Sequence, residues 1–148
     1  MPHITPSVGL HVRTNGNPLA DYLDSLRLIG RLEAELVLPG HGEPFDGLPE
    51  RTNELLAHHQ RRLEEVVWLL SQPVGEALTG YEIASKMGWS RRRTWDELTG
   101  FERRLAVTEA LAHIELLHAR GQVQKRCADG AVRYSVAVVE PSQAQTLR

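Results

Sequence analysis

The chain has 148 residues, 41% apolar and 24% charged, the composition of a soluble folded protein rather than a disordered one. Formal net charge is −2, divided unevenly: residues 1–72 hold six basic and ten acidic side chains, residues 73–148 eleven and nine. No apolar run approaches the roughly 18–20 residues that cross a bilayer, no apolar leader follows Met1, and Cys127 is the single cysteine. A membrane-spanning helix, a signal peptide, an internal disulfide framework and a cysteine zinc cage are thereby excluded, and the cytoplasm is favoured. The charge asymmetry suggests a boundary near Gln72-Pro73 but is too small to mark a nucleic-acid binder.

Ile4 to Val8 is apolar but broken by Pro6, so it reads as an edge strand or extended loop. Asn17-Pro18 is a helix start: the asparagine accepts from an otherwise unpaired backbone N–H, and proline suits the first helical position. The helix places Leu19, Tyr22, Leu23, Leu26 and Ile29 on one face. Leu36-Val37-Leu38, ending at Pro39-Gly40, reads as a short buried strand feeding a sharp loop. A long helix is predicted from about Pro49 to Ser71, burying Leu55, Leu56, His59, Leu63, Val66, Val67 and Leu70 and stopped by Pro73 and Gly75. Strand, helix, strand, helix implies an α/β layer.

The second half reads differently. Thr79 caps a short helix through Tyr81, Ile83, Ala84 and Met87, closed by Gly88. Residues 89–100, with Arg91-Arg92-Arg93, have no clear assignment. A long helix from about Phe101 to Ala119 ends at Gly121, and Asp129-Gly130 between Gln122–Cys127 and Ala131–Ala137 is a hairpin signal. Short helix, long helix and hairpin outline a winged helix-turn-helix. Glu140 to Arg148 reads as a tail.

His41 is the sharpest chemical feature. It stands between two glycines at the end of the predicted strand, where ligands and catalytic groups commonly sit, although a lone loop histidine is far more often not a metal ligand. His59 falls on an apolar helix face and reads as a hydrogen-bonded core histidine. His113 and His118 lack a matching cluster, and Cys127 reads as an inert, half-buried thiol. On the winged helix, Lys125, Arg126 and Arg133 are the candidate nucleic-acid contacts. Helical periodicity places Glu102, Glu109, His113 and Arg120 on a polar face of the long helix, opposite Val107, Leu111 and Ile114. Carboxylates on that face weaken phosphate binding, so a solvated or protein-contacting role is favoured.

Leu38-Pro39-Gly40-His41-Gly42 resembles the last metal-binding motif of metallo-β-lactamase-fold hydrolases. Ile4 to Val8 followed by Tyr22-Leu23-Asp24-Ser25-Leu26 resembles the segment leading to that motif in one subgroup. His58-His59-Gln60-Arg61-Arg62-Leu63-Glu64 resembles the helix after it, and Glu109-Ala110-Leu111-Ala112-His113 resembles the long helix of its C-terminal winged-helix domain. The subgroup is similar to β-lactamase-like endoribonucleases and related hydrolases.

The resemblance implies the end of an αββα sandwich over residues 1–72, a winged helix over 73–140 and a tail over 141–148, mainly helical overall. It implies zinc as the cofactor of the complete enzyme, with His41 as one ligand, and metal-activated water attacking an ester-like or phosphodiester bond. The family's His-x-His-x-Asp-His cluster, further histidine and bridging aspartate are not in the sequence. The expectations are therefore a C-terminal hydrolase portion that holds no metal and is inactive as this chain alone, with no catalytic residue of its own. Its partners would be a second copy or an N-terminal half, with the helix over 49–71 presenting His59 and Leu63 as the contact. The alternative is a non-catalytic winged-helix module that binds nucleic acid or protein, and no membrane partner is expected.

Overall fold

The computed structural model describes residues 5–11, 15–72, 77–89 and 92–137. Ile4, Pro73, Gly75, Arg91 and the expected tail lie outside the described residues. Helix α1 spans Pro18–Ile29 and opens as its sequence dictates: the Asn17 side-chain oxygen accepts from the backbone N–H groups of Leu19 and Ala20, with Pro18 beside it. The Asn17 amide also donates to the Ala112 carbonyl at 3.0 Å, so one side chain caps α1 and fastens it to a distant helix. Leu19, Leu23 and Leu26 form its buried stripe.

Helix α2 spans Leu48–Leu70 and buries Thr52, Leu55, His59, Arg62, Leu63 and Val66. Leu56, Val67 and Leu70 from the expected apolar face are only partly buried. The Arg62 guanidinium donates to Glu65 at 2.7 Å and to the Gly88 carbonyl at 2.8 Å, and lies 4.1 Å over the Trp89 ring. This arrangement ties α2 to the end of the short helix α3, Gly80–Lys86.

Between α1 and α2 the expected buried strand is not found. Leu36 and Leu38 are 61% and 75% exposed, and the only pairing there among the described residues is an isolated antiparallel bridge between Val37 and Phe45. A run such as Leu-Val-Leu becomes a buried strand only when other strands flank it, and here the described residues supply just that one bridge. No strand-built layer forms among the described residues of the first half. The expected α/β layer is thus corrected to two helices joined by a bridged loop.

In the second half a two-residue strand β1, Leu78–Thr79, leads into α3. Thr79 and Glu82 form a reciprocal capping box there. A short 3-10 turn over Trp95–Glu97 occupies the stretch that has no clear assignment in the sequence, and α4 follows over Gly100–Ala119. Strands β2, Val123–Ala128, and β3, Ala131–Val136, close a hairpin in which Asp129 and Gly130 both have positive φ, 53° and 75°. Two successive positive φ values match the twist of a tight hairpin, which is why Asp-Gly is a legible signal. The sheet is antiparallel in the order β1-β3-β2, with Tyr134 opposite both Leu78 and Lys125.

The core crosses the sequence boundary proposed near residue 72. One cluster joins Leu19, Leu23 and Leu63 to Ile83, Ile114, Leu117 and Val123. Helix α4 is its axis, packing against α1, α2, α3 and β2. Hence Ala106, Ala110, Ala112 and His113 are buried along with Ile114 and Leu117. The polar face expected at Glu109 and His113 is corrected: His113 is fully buried, because α2 and the N-terminal segment cover the side facing away from the sheet. Cys127 is exposed, contrary to its half-buried reading, on a strand whose middle residues face solvent.

Candidate functional site

The Val37–Phe45 bridge, made by two backbone hydrogen bonds of 2.8 and 3.1 Å, closes the base of the loop that carries His41. Gly42 has φ of 88°, a conformation costly for other residues, and so lets the chain turn back immediately after the imidazole. His41 is exposed and stands at a cavity of about 290 Å³ between this loop, α1 and α2. Leu26, Val37, Phe45 and Leu55 supply apolar wall, while Arg51 and Thr52 border it from the first turns of α2. The Thr52 hydroxyl donates to the Pro49 carbonyl, and Arg51 donates to Glu54 at 3.1 Å.

A metal centre needs several converging donors. Among the described residues no group of three His, Cys, Asp or Glu side chains is placed to hold an ion. By themselves they do not fit a zinc site, and His41 is a single available donor. Sequence reading found His41 but missed Arg51. The signal was present: Arg51 lies four residues before Leu55, so it shares the helix face that turns toward the loop.

His59 and His113 form a second, buried constellation. Their nitrogens, His59 Nδ1 and His113 Nε2, are 3.1 Å apart, and His113 Nδ1 lies 2.8 Å from the Glu109 carbonyl. The carbonyl only accepts, so His113 Nδ1 carries a proton. In the neutral ring Nε2 must then accept, and His59 Nδ1 donates to it. This leaves His59 Nε2 as a bare acceptor, buried and without a hydrogen-bond partner among the described residues. Burial, then the proximity of His113, pushes His59 down to about 4. Burial also pushes His113 down to about 4, against the opposing pull of the Glu109 carbonyl. Both rings are neutral at physiological pH. They join α2 to α4 and cannot act as exchanging acids there. His59 and Leu63 are both buried within the chain, so neither is presented to a second copy as the sequence suggested.

The winged-helix candidates are dispersed and engaged. Lys125 donates to Glu115 at 2.7 Å, and Arg133 donates to the Ala77 carbonyl and lies 3.6 Å from Glu82. Arg126 is exposed and stands across the hairpin from Arg133. Arg93 makes two hydrogen bonds to Glu102, which, with the Thr99 cap, hold that carboxyl down to about 2. The middle of α4 is also covered. Leu10 N–H donates to the Thr108 carbonyl, and the Ser7 hydroxyl donates to Glu109, whose carboxyl burial pushes up. A wider groove of about 630 Å³ runs past Asn17, Glu115, His118 and Lys125. Both Glu115 oxygens there are taken, by Lys125 and by the Tyr134 hydroxyl, and His118 Nδ1 donates to the Val123 carbonyl.

No protein-family model matches the chain. Two curated proteins are similar to it. "Beta-lactamase-like protein 2 homolog" of Caenorhabditis elegans is 30% identical over 69 residues, 47% of this chain and 23% of that protein. "Probable metallo-hydrolase YqjP" of Bacillus subtilis is 26% identical over 102 residues, 69% of this chain and 29% of that protein. Among solved structures, a β-lactamase domain protein from Burkholderia ambifaria superposes with a TM-score of 0.72 at 39% identity, covering 82% of this chain and 34% of its own. A metallo-β-lactamase family protein from Thermus thermophilus gives 0.72 at 33% identity, covering 92% and 39%. The chain spans about a quarter of the curated relatives and over a third of these structures. Over most of its length, this chain is similar in sequence and in fold to part of metallo-β-lactamase-fold proteins.

Proposed function

We propose that this chain forms the C-terminal part of a metal-dependent hydrolase of the metallo-β-lactamase fold, and that His41 supplies one zinc ligand in the complete site. The observation that carries this reading is the exposed imidazole on a glycine-flanked loop at a cavity mouth, in a chain similar over nine-tenths of its length to such a protein. The other ligands would come from polypeptide outside these residues, and the zinc they would hold with His41 would supply an activated water for ester-like or phosphodiester hydrolysis. The second half is proposed as a winged helix, supported by its helix–helix–hairpin order and its β1-β3-β2 sheet. Its role here would be packing rather than nucleic-acid contact, since Ser7, Leu10 and Asn17 bond to α4, and Arg93, Lys125 and Arg133 are ion-paired. The cytoplasm is the proposed location.

Metal analysis tests the site. Purified alone, the chain is expected to hold well under one zinc per chain, with no hydrolase activity. Joined to a polypeptide that carries the His-x-His-x-Asp-His segment, it is expected to bind zinc, with affinity falling by about tenfold or more on His41→Ala. Stoichiometric zinc in the isolated chain that is lost on His41→Ala would show that these residues complete a site without help.

Assembly follows from the same reading. Leu28, Leu32, Leu36 and Leu38 are all more than half exposed, in a span where the sequence expected burial at 36–38. Large exposed apolar patches are uncommon on monomers. Further polypeptide of the same fold is the proposed cover, with self-association when the chain is alone. Light scattering at micromolar concentration is expected to give a mass above 16.6 kDa, reduced by Leu36→Ser with Leu38→Ser. A monodisperse monomer without dye-accessible apolar surface speaks against it.

A further inference from the structure

We propose that the cavity beside His41 seats a substrate with a small apolar body and an anionic group, and that Arg51 is the residue that holds the anion. The inference rests on the proposed reading of His41 for its position at the reacting end, but its own basis is the cavity lining. At about 290 Å³ the space lies near the lower end for small-molecule sites, and most of its wall is apolar. Among the described residues that line it, Arg51 is the only one with a formal charge, and no acidic side chain lines it. A guanidinium carries five N–H donors in a planar fork that matches carboxylate and phosphate oxygens, and it stays charged at every relevant pH.

The setting fixes the fork in place. Arg51 lies in the first turn of α2, its side chain is 15% exposed, and its Nη1 is held by Glu54 one helical turn on. Thr52 is anchored to Pro49, and Leu26 and Leu55 are buried beneath, so the wall opposite the His41 loop is rigid. An ion pair desolvated against such a wall is stronger than one in water. The anion would thus lie against α2 and the apolar body against Val37 and Phe45, leaving the reacting bond toward His41.

Titration of the isolated chain with hexanoate, phenyl phosphate and hexanol, followed by NMR, tests the assignment. The two anions are expected to shift the signals of Phe45, Leu26 and Leu55, and to bind at least about tenfold more tightly than hexanol. Arg51→Gln is expected to weaken both anions by at least about tenfold while leaving hexanol within about twofold, and Arg51→Lys to restore part of the loss. Binding of carboxylate but not phosphate, or the reverse, identifies which oxyanion the fork accepts and supports the seat. Anion affinity unchanged in Arg51→Gln, shifts confined to other surfaces, or no binding at all would overturn the proposal. His41→Ala separates the two readings. It is expected to leave anion affinity within about twofold, so a failed zinc result with intact anion binding removes the metal reading alone. Lost anion binding with normal zinc uptake removes Arg51 alone.

Discussion

Acidification from pH 7 to pH 4 is expected to strip this protein of a large part of its stability, with most of the loss between pH 6.5 and 4. The cause is the buried His59–His113 pair. Both imidazoles are pushed down to about 4, so the folded state holds them neutral while an unfolded chain protonates them near 6.5. Above 6.5 both states are neutral and the pair costs nothing. As pH falls through that value the unfolded state gains protons that the folded state refuses, and stability falls until the folded rings titrate near 4. At about 1.4 kcal/mol per pKa unit, each ring contributes a penalty on the order of 3 kcal/mol. Against a total stability of about 5–15 kcal/mol for a domain, that is decisive.

Carboxylates do not mimic this window. Glu102, held down to about 2 by Arg93 and Thr99, loses its contribution only below its ordinary value of 4.5. Glu109 is raised by burial, so protonating it relieves a cost and works in the opposite sense. Urea midpoints at pH 7, 6, 5 and 4.5 give the measurement, and a midpoint flat from 7 to 5 would refute the neutral-pair account. His59→Leu removes the bare Nε2 and is expected to shrink the slope by about half.

The same pair marks where the sequence was readable and where it was not. Asn17-Pro18, Thr79 with Glu82, and Asp129-Gly130 act through a few neighbouring atoms, and the elements they start or turn are found where expected. His59 on an apolar stripe was equally legible, because its own helix determines which way it points. Leu36-Val37-Leu38 was not, since a strand depends on partners that local sequence does not contain. Nor were the faces of α4. Periodicity assigns one buried side, but this helix is packed by the sheet and α3 on one side and by α1, α2, Ser7 and Leu10 on the other. Its alanines permit that closeness, and its His113 is buried through a partner 54 residues away. At the candidate site, the His41 loop was visible as Gly-His-Gly, whereas spacing put Arg51 on the Leu55 face of α2 without showing that this face borders the loop.

Ile114→Ala is expected to cost about 2–5 kcal/mol, and to destabilise α1 and the hairpin together. Ile114 is fully buried on α4, within the cluster that joins Leu19 and Leu63 to Ile83 and Val123. Removing three carbons there leaves a cavity walled by elements from both sides of residue 72, and close-packed walls relax only in part. Were residues 1–72 and 73–140 separate folding units, the damage would stay in the second. The contacts argue otherwise: Asn17 is bonded to Ala112, His59 to His113, and Arg62 to Gly88, each a polar tie across the boundary. Each tie becomes costly to leave unsatisfied if one half opens alone, so the halves are expected to unfold as one. Thermal melts followed at the α1 amides and at the β2–β3 amides are expected to share one midpoint. Both midpoints would fall by about 6–20 °C in Ile114→Ala, at roughly 3–4 °C per kcal/mol for a chain of this size. Two midpoints, with α1 unmoved by the substitution, would instead establish independent domains divided near Gln72.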